Sequence, residues 1–436
     1  MKKNGPFIFI ISLIFSFFAE GNIFALDYTE ISSSLANFFD SLYGKNEGTT
    51  GFRSLLIPLG GRSESLGSAY TGLSDDISYI DFNPAASSIL NETEIAFFHN
   101  SWIADSNMET LAFTTRFNNF GIGAKISCFY VPFTEYDSFG TRVAGNYYSE
   151  TTASANFSYN FFSGYNFKGL AAGINLKASW RSVPDYTDND SGEIISGSGL
   201  EQSALAFMAD FGILIQFNAA KFFVSDDANL KIGFSLTNFG AAITGFSSDD
   251  GISGDDPLPS TAGIGISYNF FRPVTISLDF RQPINLQNFS EYQMFYVGTG
   301  ISVKITKFFS VLGGFQIKGA NPRFSLGGEA LVSKVKLNAN YTLDLTSSLN
   351  PLNRFSISAS ILLGDKGRAE KREKVKKLYN EGIYFFAQKD YEKAIEIWRK
   401  VLKIDRNFDP AKTGIRIATL YNEMLQNMEN LSTTHN

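Results

Sequence analysis

The chain reads as an all-β transmembrane barrel of fourteen antiparallel strands, followed by a small all-α domain. Three observations predict this. Fourteen segments, each roughly eight to twelve residues long, alternate apolar with polar or small side chains. The connections between them tend to alternate short with long. Past Gly364 the alternation stops and helical periodicity replaces it.

At the start of the chain, Lys2 and Lys3 precede Phe7 to Ala19, an apolar run too short to span a bilayer. Residues 1–25 therefore read as an export signal, with cleavage after Ala25 or Gly21. With no cysteine nearby, N-terminal lipid attachment is not expected. Residues 26–91 do not alternate. Ile31 to Tyr43 can form a short amphipathic helix. Then comes a block of small residues, Gly60-Gly61-Arg62-Ser63-Glu64-Ser65-Leu66-Gly67-Ser68-Ala69-Tyr70-Thr71-Gly72-Leu73-Ser74-Asp75-Asp76, and after it Asp81-Phe82-Asn83-Pro84-Ala85-Ala86.

Residues 92–364 form the barrel. In the segment from Val274 to Gln282, Val274, Ile276, Leu278 and Phe280 share one face, and Thr275, Ser277, Asp279 and Arg281 the other. A period of two means strand. Val335 to Leu345 and Phe355 to Leu363 repeat the pattern. The strands are expected near 93–103, 109–117, 120–131, 147–162, 169–181, 201–217, 229–238, 260–271, 273–282, 293–305, 308–318, 322–333, 335–345 and 353–363. An even count suits a closed antiparallel barrel. Connections after even strands are mostly tight, as at Asn118-Asn119 and Arg272-Pro273, whereas 132–146, 182–200 and 239–259 are long and polar. Short inner turns and long outer loops place the first strand's start on the periplasmic side. The connections 104–108 and 319–321 are shorter than that rule expects, and 218–228 is longer.

A soluble β-sandwich or propeller would also alternate. Aromatic pairs at strand ends, Phe161-Phe162, Phe270-Phe271 and Phe308-Phe309, favour the membrane reading. Adjacent strand residues face opposite sides, so interfacial girdles explain such pairs better than core packing does. Hydrophobic residues make up 44% and charged ones 18%, and no stretch past residue 25 is apolar enough for a membrane helix. A span must then be a closed sheet. Cys128, the single cysteine, falls on the apolar face of the third strand as a lipid-facing small hydrophobe.

The glycine-rich block, the Asn83-Pro84-Ala85 triplet and the strand count together resemble the FadL-type outer-membrane transporters. They are closer still to the PorV-like relatives of those proteins, which include an uncharacterised spirochaete family. The resemblance covers about residues 57–363. It implies that residues 26–91 fold inside the barrel as a hatch, with Gly61, Arg62, Gly67, Gly72, Asp75, Asp76, Asn83, Pro84 and Ala85 as its motif. Small residues suit close packing in a confined lumen. Asn83 and Pro84 suit a rigid turn that either merely fixes the hatch or belongs to a plug whose movement opens a path. The resemblance further implies uptake of hydrophobic molecules such as long-chain fatty acids, or else a role in secretion or surface assembly. Lys125, Lys177, Arg181, Asp210, Asp279, Arg281, Lys304, Glu329, Lys336 and Asp344 are expected in the lumen. They form either a wall of paired charges or a seat for a carboxylate head group.

Residues 365–436 carry a net charge of +4, against −10 for the remainder. Leu378, Gly382, Phe385, Ala394 and Trp398 match the small and large packing positions of a tetratricopeptide-like repeat. Pro410 starts a third helix running to about Met428. Strand parity puts this tail in the periplasm. One repeat and a helix fall short of the roughly three repeats of a stable solenoid, so the tail either binds a periplasmic protein or peptide or closes as a bundle by itself. Lys371 to Lys377, interrupted by Glu373, reads as a solvated helix face and not a nucleic-acid site.

Little points to catalysis. The two histidines are His99 and His435, so a Ser-His-Asp arrangement would rest on His99 alone. The acidic loops Asp185 to Glu193 and Asp249 to Asp256 lack the spacing of a calcium loop. No catalytic residue, metal site or cofactor is expected. The expected partners are outer-membrane lipid, a hydrophobic small molecule, and a protein engaged by the tail. The reading is an uptake barrel in the outer membrane, or alternatively a scaffold that recruits proteins through its tail.

Overall fold

The computed structural model describes residues 50–433 apart from 104, 137–138, 166, 189–192, 224–226, 245–256, 289–292, 319–320 and 345–352. The export signal and the helix expected from Ile31 to Tyr43 lie outside the described residues, as does the acidic loop 249–256.

Among the described residues, fourteen strands form one closed antiparallel sheet. They are β1 Glu94–Ser101, β2 Asn107–Phe117, β3 Phe120–Tyr136, β4 Arg142–Phe161, β5 Gly169–Ser182, β6 Ala204–Phe217 and β7 Leu230–Thr244, followed by β8 Ser260–Phe271, β9 Val274–Ile284, β10 Tyr296–Lys304, β11 Phe309–Lys318, β12 Asn321–Val332, β13 Val335–Asp344 and β14 Arg354–Leu362. Closure joins β1 to β14 from Glu94↔Leu362 to Ser101↔Phe355. Every strand thereby has a hydrogen-bonded neighbour on both sides, which a bilayer requires.

Alternation sorts the side chains. Along β14, Arg354, Ser356, Ser358 and Ser360 are buried in the lumen, while Phe355, Ile357 and Ile361 are exposed outside. Leu111, Ile126, Leu176, Phe207, Leu278 and Leu326 continue this outer apolar band around the wall. An apolar surface that extensive has lipid as its natural solvent. Both members of each sequence-predicted aromatic pair are exposed, at the end of the barrel carrying the short turns. Cys128 sits on the outer face, half-buried, with the Thr151 hydroxyl 3.6 Å from its sulfur. His99 also lies on the outer face, 2.7 Å from Glu109, so it offers the lumen no base.

Several boundaries differ from expectation. Strands β3 and β4 run on as a hairpin from Pro132 to Tyr136 and from Arg142 to Asn146. Strand β7 continues to Thr244 because its pairing with β6 slips where Ala209↔Phe239 gives way to Phe211↔Leu236. The extra residue lies at Thr237-Asn238, and Asn238 takes a left-handed φ of 58°. A bulge inverts the in-out phase, so the apolar positions after it no longer continue the series before it. Residues 201–202, expected in β6, instead end a single helical turn, Ser198–Gln202.

The N-terminal segment enters at the long-loop end, where Gly51 N–H donates to Pro257 O at 3.0 Å. It passes through a 3-10 turn, Arg53–Leu56, the short helix α1, Gly61–Ser65, and two further 3-10 turns, Ile77–Asp81 and Pro84–Ser88, before joining β1 at the short-turn end. With Ser198–Gln202 as α2, the tail comprises α3 Arg368–Ala387, α4 Tyr391–Ile404 and α5 Asp409–Thr433. The three helices pack around Trp398, Val401, Phe408, Ala411 and Ala418. They also touch the barrel's own turns. Arg368 donates to Arg116 O at 2.7 Å and Asn91 O at 2.5 Å. Asn407 donates to Ser163 O at 2.8 Å, and the Phe408 and Tyr165 rings lie 5.0 Å apart.

Candidate functional site

The residues from Gly60 to Leu90 occupy the lumen as a hatch with two differently built arms. The first, Gly60 to Asp76, follows the wall from β14 round to β7. It is held by backbone proximity and charge. A Cβ on Gly61 would meet Ser358 Oγ at 2.5 Å. At Gly67 two constraints coincide, a φ of +60° and strand backbone of Phe315 and Thr299 within 3 Å of where a Cβ would stand, so any larger residue there is excluded. A Cβ on Gly72 would meet the backbone of Gly265 at 2.5 Å.

The wall answers with glycines of its own. Gly121, Gly173, Gly233, Gly265, Gly298 and Gly314 face inward, and a Cβ on any of them would lie within 3 Å of hatch backbone. A strand glycine commonly marks the close approach of another backbone, and here the wall is thinned along a band into which the hatch sits. Sequence reasoning missed this band. The readable signal was Gly-x-Gly on the polar face of a strand, at Gly121-x-Gly123, Gly263-x-Gly265 and Gly298-x-Gly300.

Charge closes the first arm into a loop. Arg62 donates through Nε and Nη2 to the two carboxylate oxygens of Asp75, at 2.9 and 2.8 Å, and through Nη1 to Glu329 on β12 at 3.3 Å. The Tyr70 hydroxyl lies 2.7 Å from Asp75 and 2.6 Å from Asp76. Asp76 caps the following turn by accepting from Ser78 N–H at 2.9 Å and pairs with Lys336, which also reaches Glu94 at 3.0 Å. Asp279 on β9 accepts from the backbone N–H groups of Tyr70 and Thr71 at 3.0 and 2.7 Å. Glu64, not singled out from sequence, is 2% exposed and pairs with Arg354 on β14 at 3.1 Å.

The second arm, Ile77 to Leu90, is anchored by apolar burial. Ile77, Tyr79, Ile80, Ala85, Ala86 and Leu90 pack against Ala96, Phe98, Ala112, Ala171 and Leu214 of the wall. Asn83 caps its own turn, accepting from Ala85 N–H at 3.2 Å, and its amide donates to Thr71 O and Ile213 O, both at 3.0 Å. Pro84 O accepts from Asn156 at 2.9 Å. Asn83, Pro84 and Ala85 thus join the two arms to each other and to β4 and β6.

The ten charged positions expected in the lumen sit on the inward face or at its mouths, and most are paired. Lys125 meets Asp81, and Lys177 meets Asp210 at 2.7 Å. Two cavities flank the hatch and share no lining residue. One of about 1110 Å³ faces the long loops, and one of about 1340 Å³ lies between the hatch, the short turns and the tail. The loop-side cavity combines Trp102, Met108, Phe129 and Phe52 with Arg53, Lys125, Lys177, Arg181, Arg281, Lys318, Arg323 and Arg354, against Asp81 and Glu150 as its acidic members.

In the tail, the expected packing positions come together. Trp398 lies against Gly382, where a Cβ would meet the indole at 2.2 Å, and its Nε1–H donates to Tyr379 O at 3.2 Å. Ala394 is fully buried, and Leu378 and Phe385 are half-buried against the same cluster. No group of three or more metal-ligating side chains forms among the described residues.

A closed fourteen-stranded sheet with a lipid-facing exterior and a folded N-terminal segment in its lumen defines an outer-membrane β-barrel of the plugged kind. The chain belongs to the uncharacterised protein family UPF0164, whose profile matches residues 28–366. One UPF0164 protein of Treponema pallidum (strain Nichols) is 29% identical over 384 residues, covering 86% of this chain and 84% of the relative. Another from the same organism is 25% identical over 386 residues, covering 84% and 75%. These relatives agree with the spirochaete family to which the glycine-rich block pointed. Among solved structures, the CymD monoaromatic hydrocarbon channel aligns with 70% of this chain and 98% of its own, at 14% identity and a TM-score of 0.47. The TodX monoaromatic hydrocarbon channel deltaS2 mutant aligns over the same shares, at 13% identity and a TM-score of 0.45.

Proposed function

We propose that this barrel is a hatch-gated conduit for hydrophobic or amphipathic small molecules, long-chain fatty acids among them. In this reading the molecules enter at the long-loop end and leave beside a periplasmic tail. The observation that carries it is the pair of cavities that lie on either side of the hatch. The loop-side cavity offers what an amphipathic solute needs, apolar and aromatic faces beside an excess of guanidinium and ammonium groups. The first hatch arm is chiefly small-residue backbone and ion pairs, with only Leu66, Tyr70 and Leu73 in a small apolar cluster against Phe82 and Leu312, so leaving the wall exposes less apolar surface than lifting the second arm does.

The test is uptake of a labelled long-chain fatty acid by the full chain in liposomes, with Asn83→Ala alongside. Saturable uptake altered by the hatch substitution supports the conduit. A folded barrel that neither binds nor passes the label refutes it.

A second reading, a scaffold for periplasmic or secreted proteins, draws on one observation. Helix α5 exposes Leu420, Tyr421, Met424 and Leu425 on the tail, an apolar surface of the kind that marks protein contact. Under this reading, site-specific crosslinking from position 424 in cells captures a discrete partner, and a chain ending at Gly364 no longer recruits it. No crosslink beyond lipid would leave the scaffold without support.

A further inference from the structure

Arg354 stands between the hatch and the loop-side cavity. It is 3% exposed, lines that cavity, and touches Glu64 of the hatch through Nη2 alone, at 3.1 Å. Its Nε and Nη1 have no hydrogen-bond partner among the described residues. Its guanidinium lies 4.0 Å above the Trp102 ring, and Arg323, whose Nε is likewise without a partner among the described residues, lies 6.0 Å from the same ring. A guanidinium carries five donors in a fork that fits a carboxylate at two points. Glu64 uses one of them. The other ligands of Glu64 are weaker, Thr342 Oγ1 at 3.3 Å and Asn100 Nδ2 at 3.4 Å.

We propose that Arg354 is a latch shared between two anions, the Glu64 carboxylate that holds the first hatch arm and the head group of an anionic amphiphile arriving in the loop-side cavity. The inference rests on the conduit reading and adds to it the means by which solute binding releases the hatch. A head group that takes the open donors of Arg354 draws the cation away from Glu64. Glu64 is 2% exposed, and a carboxylate so buried is costly to leave without its counter-charge. The strain falls on α1, which carries Glu64 and lies against β12, β13 and β14. The apolar body of the solute would meanwhile lie against Trp102, Met108 and Phe129.

Linkage gives this proposal a signature that a purely structural ion pair lacks. If the anion weakens the hatch contact by some factor, removing the hatch contact strengthens anion binding by the same factor. The experiment uses the full chain in nanodiscs with decanoate, and decanol as the uncharged control. It measures binding, backbone hydrogen exchange over residues 60–66, and uptake in liposomes, for the native chain, Glu64→Gln and Arg354→Lys. Decanoate is expected to speed exchange over residues 60–66 in the native chain. Glu64→Gln should bind decanoate about tenfold more tightly, the scale of a lost charge-assisted hydrogen bond, with exchange already fast before it is added. Arg354→Lys, which keeps the charge and loses the fork, should bind more weakly. Decanol should do none of this. Decanoate uptake with hatch exchange unchanged, or equal affinity in the native chain and Glu64→Gln, overturns the latch and leaves the conduit standing. Absence of decanoate and decanol binding and uptake in a folded barrel overturns both.

Discussion

Replacing Arg62 by Met removes the tie that closes the first hatch arm on itself. Two charge-assisted hydrogen bonds to Asp75 are lost, at 2.9 and 2.8 Å, together with a longer one to Glu329 at 3.3 Å. A hydrogen bond to a charged group contributes about 1.5 to 3 kcal/mol. Asp75 is one-third exposed to the turn-side cavity, so it rehydrates once released, which discounts its share. Glu329 is less exposed, at 15%, and recovers less. The net cost to the closed arm is then about 3 kcal/mol, which shifts the arm's opening equilibrium by roughly a hundredfold. Native-state hydrogen exchange over residues 60–76 reads this directly, and ion conductance across a planar bilayer gives a second view. Exchange is expected to accelerate by about two orders of magnitude in the first arm and to stay unchanged over residues 77–90, with the barrel's own melting unaffected. Asp75→Asn should give a smaller effect, and the double variant should exceed Arg62→Met by little, because both substitutions remove the same interaction. Equal exchange in the native chain and Arg62→Met would refute the argument, since the arm would then be held by its glycine contacts alone.

Gly72→Ala and Gly265→Ala should each destabilise the closed hatch by about 1 to 3 kcal/mol, because either Cβ would press on backbone that cannot yield. Faster proteolysis of the hatch in detergent checks this, and a neutral result for both would contradict the close approach. Trp398→Ala should cost the tail about 3 to 5 kcal/mol and strip its helices, while the barrel keeps its heat-dependent gel shift. Asp365 accepts from the backbone N–H groups of Ala369 and Gly367, which hold its carboxyl below the ordinary carboxylate range. A depressed folded-state pKa contributes stability that is complete above the unfolded value of about 3.9 and lost as pH falls through the folded one. Amide protection at the start of α3, taken relative to the intrinsic exchange rate at each pH, should therefore be constant from pH 7 to about 4 and fall only below that, and Asp365→Asn should abolish this response.

Much of the barrel was legible because lipid on one side and a polar lumen on the other impose a period of two on every strand. The legibility failed where physics breaks that period. The bulge at Thr237-Asn238 inverts the phase of β7, and the β3–β4 hairpin runs on to Tyr136 and Arg142, where β4 no longer alternates sharply. The hatch motif was readable as a block of small residues, and its contacts explain why they are small. What could not be read was which wall residue each would meet. Glu64 and Arg354 lie about two thirds of the chain apart, and the register that closes β1 on β14 brings them together. The luminal glycines stood in plain view, but a strand glycine is informative only once something is known to lie against it.

The division of the hatch into two arms follows from one difference in composition. From Ile77 to Leu90 the chain supplies Ile, Tyr, Ala and Leu to a cluster shared with β1, β2, β5 and β6, and lifting that stretch would expose apolar surface at about 25 cal/mol per Å². From Gly60 to Asp76 it supplies chiefly Gly, Ser and charge, with Leu66, Tyr70 and Leu73 as its main apolar contribution. Releasing it exposes less apolar surface, and its amide contacts pass to water at about 1 kcal/mol each, so the cost is concentrated in the charge-assisted ties of Arg62 and Glu64. The arm that is cheaper to release also carries Arg62, Glu64, Asp75 and Asp76, the groups through which a charge arriving in either cavity can act on it. On the conduit reading, opening of this lumen begins along the wall between β14 and β7, with Asn83 and Pro84 as the fixed point about which the first arm leaves the second.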